Sequence, residues 1–122
     1  MVLCGAVVIG LLSVLFSGMC GNEVQKEYLS PNGGLKAVVF QRSCGATTGF
    51  STQISMLNSR ATLSNKAGNV FITDWATGRE SLTVTWLSDS ELEIKKHPNL
   101  AVYKSEEAWG SWFRKTVRVK YK

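Results

Sequence analysis

Histidine and charge are the first things this chain is short of. It has one histidine, His97, and three cysteines in 122 residues. No Cys/His/Asp set has the spacing of a zinc or other metal site, so no metal or cofactor is expected. The paired acids offer little chemistry either. Glu91 and Glu93 alternate with Leu92 and Ile94 and read as a solvated strand face, and Glu106 and Glu107 are adjacent and diverge. No P-loop lysine pattern, internal repeat or nucleic-acid recognition module is present. After residue 20 no long stretch carries helical periodicity. The length leaves room for one core and no second one.

No charged residue precedes Glu23, although the chain as a whole carries a net charge of +5. The uncharged run from Val2 to Met19 would span roughly 27 Å as a helix, close to a hydrocarbon core of about 30 Å. It lacks the basic start of an ordinary signal peptide. Its end, Leu15-Phe-Ser-Gly-Met-Cys20, looks like a bacterial lipobox, with Ser17 and Gly18 suitable and Met19 bulky for its place. Lipidation at Cys20, a cleaved signal and a retained anchor helix all fit, with a buried core helix as the fourth reading. The first three put residues 21–122 on or beyond a membrane face. The expected organisation is a signal, lipoprotein-like or anchor segment over 1–20 and an all-β domain over 21–122.

Past Gly21 the pattern is that of strands. Val24 to Leu29 is followed by Ser30-Pro-Asn-Gly-Gly34, a strong turn signal. Leu35 to Arg42 is β-branched and aromatic. Phe50 to Leu57 alternates, with Thr52, Ile54 and Met56 on one side and Ser51, Gln53 and Ser55 on the other. Asn58 to Gly68 is polar and reads as a loop. Further runs follow in NVFITDW, SLTVTWL, ELEIKK, LAVYK and KTVRVKYK, separated by turn-like stretches such as HPN. About eight short strands at hairpin spacing predict a single antiparallel sandwich or barrel after an apolar N-terminal helix. Only Ser105 to Phe113 suggests a helical turn.

The stretch CGNEV…SPNGGLKAVVFQRSCGATTGFSTQIS, with GNVF after it, resembles a family of small uncharacterised bacterial proteins that begin with a signal or lipoprotein-like segment. CGATTGFSTQ is its most specific part. The resemblance covers Cys20 to about Phe71. It implies an envelope location and brings no activity.

Cys44 sits in a Gly/Thr loop and admits three roles. It is half of a disulfide with Cys20, a buried inert thiol, or a reactive thiol assisted by His97 or Arg42. A bridge would contribute about 3 kcal/mol by loop entropy. A lipidated Cys20 would exclude it. Thr47, Thr48 and Ser51 mark an anion-binding alternative for the same loop. Trp109 and Trp112 lie three apart beside Phe113, and suit a sugar-stacking pair, a membrane-interface belt or a plug for the core. Trp75 and Trp86 read as structural. Arg114, Lys115, Arg118, Lys120 and Lys122 equal the whole net charge, and Arg118, Lys120 and Lys122 share one strand face. That stripe suits anionic lipid or another polyanion, or simply protects an edge.

These readings converge on a non-enzymatic binding or structural module of a bacterial cell envelope. Its expected partners are an envelope protein, a lipid surface or a cell-wall component, and not nucleic acid. The alternative is a thiol-dependent enzyme or redox protein using Cys44.

Overall fold

The computed structural model describes residues 20–45, 50–74, 82–110 and 116–122. The expected N-terminal helix, Thr47 and Thr48, Trp75, and the segment holding Trp112, Phe113, Arg114 and Lys115 lie outside the described residues.

Nine strands follow one another: β1 (Gly21–Leu29), β2 (Leu35–Ser43), β3 (Phe50–Asn58), β4 (Phe71–Asp74), β5 (Leu82–Ser88), β6 (Glu91–Lys96), β7 (Val102–Ser105), β8 (Ala108–Trp109) and β9 (Val117–Tyr121). They form two sheets, ordered β1-β2-β3-β4-β7 and β5-β6-β9-β8. The all-β expectation holds, and the described residues contain no helix. Of the two expected forms, sandwich and barrel, it is the sandwich that is found, since the sheets do not close into a barrel. One detail differs from the all-antiparallel reading: β9 runs parallel to β6, with Glu91 facing Arg118 and Ile94 facing Tyr121. The parallel pair arises because the chain leaves β6, joins the first sheet as β7, and re-enters the second through β8. Ala108 and Trp109 are strand, not helical turn, and pair with Arg118 and Val117.

The first hairpin shows how local chemistry sets the register. Gly33 takes φ 75°, a conformation that suits a residue without Cβ. Its N–H reaches the Ser30 carbonyl at 2.8 Å. Asn32 Oδ1 accepts from Ser30 Oγ and from the Gly34 N–H, both at 2.9 Å. The turn thus satisfies its own polar groups, and Leu29 is set against Lys36.

The core lies between the sheets. Ala37, Ile54, Met56 and Phe71 from one sheet meet Val84, Leu92, Ile94, Val117 and Val119 from the other, all buried. On β5, β6 and β9 these residues alternate with exposed or half-exposed ones, as two-residue periodicity requires. Three contacts stitch the sheets at their margins. Trp86 Nε1 donates to the Tyr28 carbonyl at 2.8 Å, the Asn32 N–H donates to the Asp89 carboxylate at 2.7 Å, and Phe71 stacks on Tyr121 with centroids 5.7 Å apart.

β3 does not expose its second face: Gln53 and Ser55 are buried there, as Thr52 is on the core side. The cause is the segment 59–70, which crosses the outer side of the first sheet as a third layer. Gly68 donates its N–H to Gln53 Oε1 at 2.6 Å, and the Asn69 N–H reaches Ser55 Oγ at 3.1 Å. The Asn69 side chain then imitates a strand partner: its Oδ1 accepts the Met56 N–H at 2.7 Å and its Nδ2 donates to the Met56 carbonyl at 2.9 Å. Val38 and Phe40, which point to the same outer side by register, are buried as well.

Candidate functional site

Cys20 and Cys44 form a disulfide, and the strand register explains why they meet. β1 pairs with β2 through Lys26↔Val39, then skips Gln25 and resumes at Val24↔Phe40. That bulge shifts the remaining pairs by one place, so Gly21 faces Ser43 and the next residues out are Cys20 and Cys44. Without the bulge Cys20 would face Gly45. A sulfur bonded to Cys44 carries no lipid, so the bridged chain and a lipidated chain are different molecules.

The groups that the sequence offers as activators of Cys44 are engaged elsewhere. Arg42 donates to Asn22 Oδ1 at 2.8 Å and to Asn65 Oδ1 at 3.0 Å. His97 Nδ1 accepts the Asn99 N–H at 3.2 Å within its own turn. Among the described residues no group of three or more His, Cys, Asp or Glu side chains is placed to hold a metal. No helix among them is long and apolar enough to cross a membrane.

The basic stripe on β9 is where the sequence reading places Arg118, Lys120 and Lys122, all exposed on one face. Its charge is largely answered by the neighbouring strand. Lys120 Nζ lies 2.8 Å from the Glu91 carboxylate and Lys122 Nζ 3.9 Å from that of Glu93. The two lone faces inferred from the sequence, one acidic and one basic, are adjacent rows of a single mixed-charge surface. The Lys120 hydrogen bond and then its charge hold the Glu91 carboxyl below the usual carboxylate range, with a smaller push from Arg118 and an opposing one from burial. Arg118 makes no ion pair among the described residues.

Trp109 is half-buried and packs against the core from β8, which fits the plug reading. Trp112 lies outside the described residues, so the pair is not brought together here. On β9, the Tyr121 hydroxyl donates to the Glu106 carbonyl. Burial, then the nearby Glu106 and Glu107 charges, push its phenol above the ordinary tyrosine range.

One feature had no sequence signal. Segment 61–65 and the outer face of β1 and β2 enclose a groove of about 540 Å³. Val24, Val38, Ala61 and Leu63 line it, with Glu27 and Lys36 at one end. Its far wall is pinned by a polar cluster beside the disulfide. Asn22 Nδ2 donates to the Ser64 and Lys66 carbonyls at 3.1 and 2.8 Å, and Asn65 Nδ2 donates to the Cys20 carbonyl at 2.9 Å. Every residue of the cluster is polar and loop-like in sequence, and only the fold reveals that they converge.

Comparison of the chain with protein-family models, with curated proteins and with solved structures finds no match.

Proposed function

We propose that this chain is a non-enzymatic binding or structural module of a bacterial cell envelope, brought to or across the membrane by residues 1–20. The observation that carries this reading is the Cys20–Cys44 bond immediately after an uncharged apolar run. Disulfides persist in oxidising compartments and are rare in the cytosol. The family resemblance at CGATTGFSTQ points the same way. In the bridged form any lasting membrane attachment runs through the apolar segment itself and not through a lipid on Cys20.

The contact surface we favour is the outer face of the second sheet, built from Arg118, Lys120 and Lys122 against Glu91 and Glu93. Because the acids offset two of the cations, this face suits a protein or wall component of mixed polarity better than a polyanion. Trp109 belongs to the support of that sheet.

Two measurements test the reading together. The intact mass of the natively expressed protein distinguishes cleaved, lipidated and uncleaved forms. Thiol labelling with and without reductant reports the bridge. We expect no lipid on Cys20 and labelling of Cys20 and Cys44 only after reduction. A full-length chain dissolved in the cytosol with rapidly labelled Cys44 would overturn the proposal and favour the thiol-dependent alternative.

A further inference from the structure

We infer that the Cys20–Cys44 bond is a redox latch on the outer layer. While it is closed, segment 62–67 is held over the first sheet; a dithiol reductant that opens it releases that segment together with the adjoining end of β1. The inference rests on the bond itself, and not on the outer face of the second sheet or on where the chain resides.

The first observation is that β1 consists of two pieces. The bulge at Gln25 separates Gly21–Val24 from Lys26–Leu29. The second piece is tied to the opposite sheet: Tyr28 packs against the core, and its carbonyl accepts from Trp86. The first piece lies on the sheet edge and has no buried residue. Its ladder with Phe40–Ser43 and the bridge at Cys20 are what hold it.

The second observation is where the segment is fastened. At one end the Ala61 N–H reaches the Asn58 carbonyl at 2.9 Å, and at the other the Gly68 N–H reaches Gln53 Oε1 at 2.6 Å. Between them, among the described residues, every hydrogen bond joining residues 62–67 to another part of the chain ends on Asn22, Arg42 or the Cys20 carbonyl. Asn22 and Arg42 face each other across the ladder, and each is two residues from a bridged cysteine. Opening that strand end therefore removes all the pins together and leaves the two outer anchors in place. The floor beneath the segment is Val38, which is 1% exposed while the latch is shut. Parts of a fold with few buried contacts open at lower free energy than its core.

The third observation is access. Cys44 is exposed, whereas Cys20 is half-buried. Exposed disulfides are the labile ones. One thiolate of the dithiol attacks Cys44 Sγ, forming a mixed disulfide, and Cys20 leaves as a thiolate that takes a proton. The second thiol then displaces Cys44 and closes the reductant's own disulfide. Two electrons pass, leaving two cysteine thiols and one oxidised dithiol.

The test compares amide hydrogen exchange of the full chain before and after reduction with dithiothreitol. The ladder amides of residues 21–24 and 40–43 should exchange at least about tenfold faster once reduced, while those of β5 and β6 keep their protection. Trypsin supplies a second readout at the exposed Lys66, whose carbonyl is held by Asn22 at 2.8 Å. Cleavage after Lys66 should be at least about tenfold faster in the Cys20→Ser/Cys44→Ser double variant than in the oxidised parent. Asn22→Ala should speed the same cut with the bridge intact. Equal acceleration of exchange throughout the chain overturns the inference, because the bond would then staple the whole fold. Unchanged protection of residues 21–24 after reduction overturns it as well, and so does an Asn22→Ala chain cut no faster than the parent.

Discussion

At the scale of single residues, Gly68 carries the sharpest constraint. A Cβ there would sit 2.8 Å from the Ile54 carbonyl oxygen and 3.0 Å from Gln53 Cβ. The crossing segment approaches β3 too closely for any side chain. We expect Gly68→Ala to destabilise by about 1–3 kcal/mol, read as a lower urea midpoint with an unchanged slope. An unaltered midpoint would mean that the outer layer does not rest on β3 as described. Glu91 supplies a second test. Its carboxyl is held low by Lys120, so the folded state binds its proton less readily than the unfolded chain. Its contribution is present above the unfolded carboxylate value and fades as pH falls through the lowered folded value. The melting-temperature difference between wild type and Glu91→Gln should be steady from neutral pH to about pH 5 and shrink in stronger acid. A difference that persists undiminished in acid would show that Lys120 is not the cause.

At the scale of elements, the hairpin of β1 and β2 is closed twice, by the turn at Ser30–Gly34 and by the disulfide. Cys44→Ser removes the second closure and should cost about 3 kcal/mol, measured by denaturation against the oxidised protein. Equal stability of the two would mean that the cross-link adds nothing to an already paired hairpin. Trp86→Phe keeps the ring in the core but removes the bond to the Tyr28 carbonyl, at about 1 kcal/mol. The elements also show which parts of the fold were legible beforehand. β5, β6 and β9 alternate because one face meets the core and the other meets water, so Leu82, Val84 and Trp86 could be placed from their spacing alone. β3 alternates in sequence too, yet both its faces are buried. Its polar residues bond a segment that reads only as loop, and nothing local announces that Gln53 will accept from Gly68. The pairing of Lys120 with Glu91 was illegible for a related reason. It depends on β9 lying beside β6, which follows from the path through β7 and β8 and not from either strand's own residues. Cys20 and Cys44 were visible as candidates, but the bulge that aligns them was not.

At the scale of the whole molecule, the sheet margins share one device. β1 is interrupted opposite Val39 and Phe40, β5 between Trp86 and Ser88, and β7 opposite Ile72 and Thr73. The remaining margin, β8, is two residues long. Interrupted, short or charged margins resist pairing with another chain. Gln25 offers a clean test, because it is the extra residue of the β1 bulge. Deleting it should leave Val24 opposite Phe40 and Cys20 opposite Cys44 while straightening the strand. We expect that variant to keep its disulfide and yet to self-associate, seen by light scattering at concentrations where the parent is monodisperse. A deletion variant that stays monodisperse would assign the protection to Glu23, Lys26 and Glu27 instead.

The position of β9 between β6 and β8 has a bearing on the order of events in the cell. Chains are made from the amino end, and this strand is the last of the nine to emerge. Until residues 117–121 arrive, the second sheet has a gap in its middle, and β8 has no strand to pair with. The second sheet is therefore completed after the first, whose strands all precede β9 in the chain.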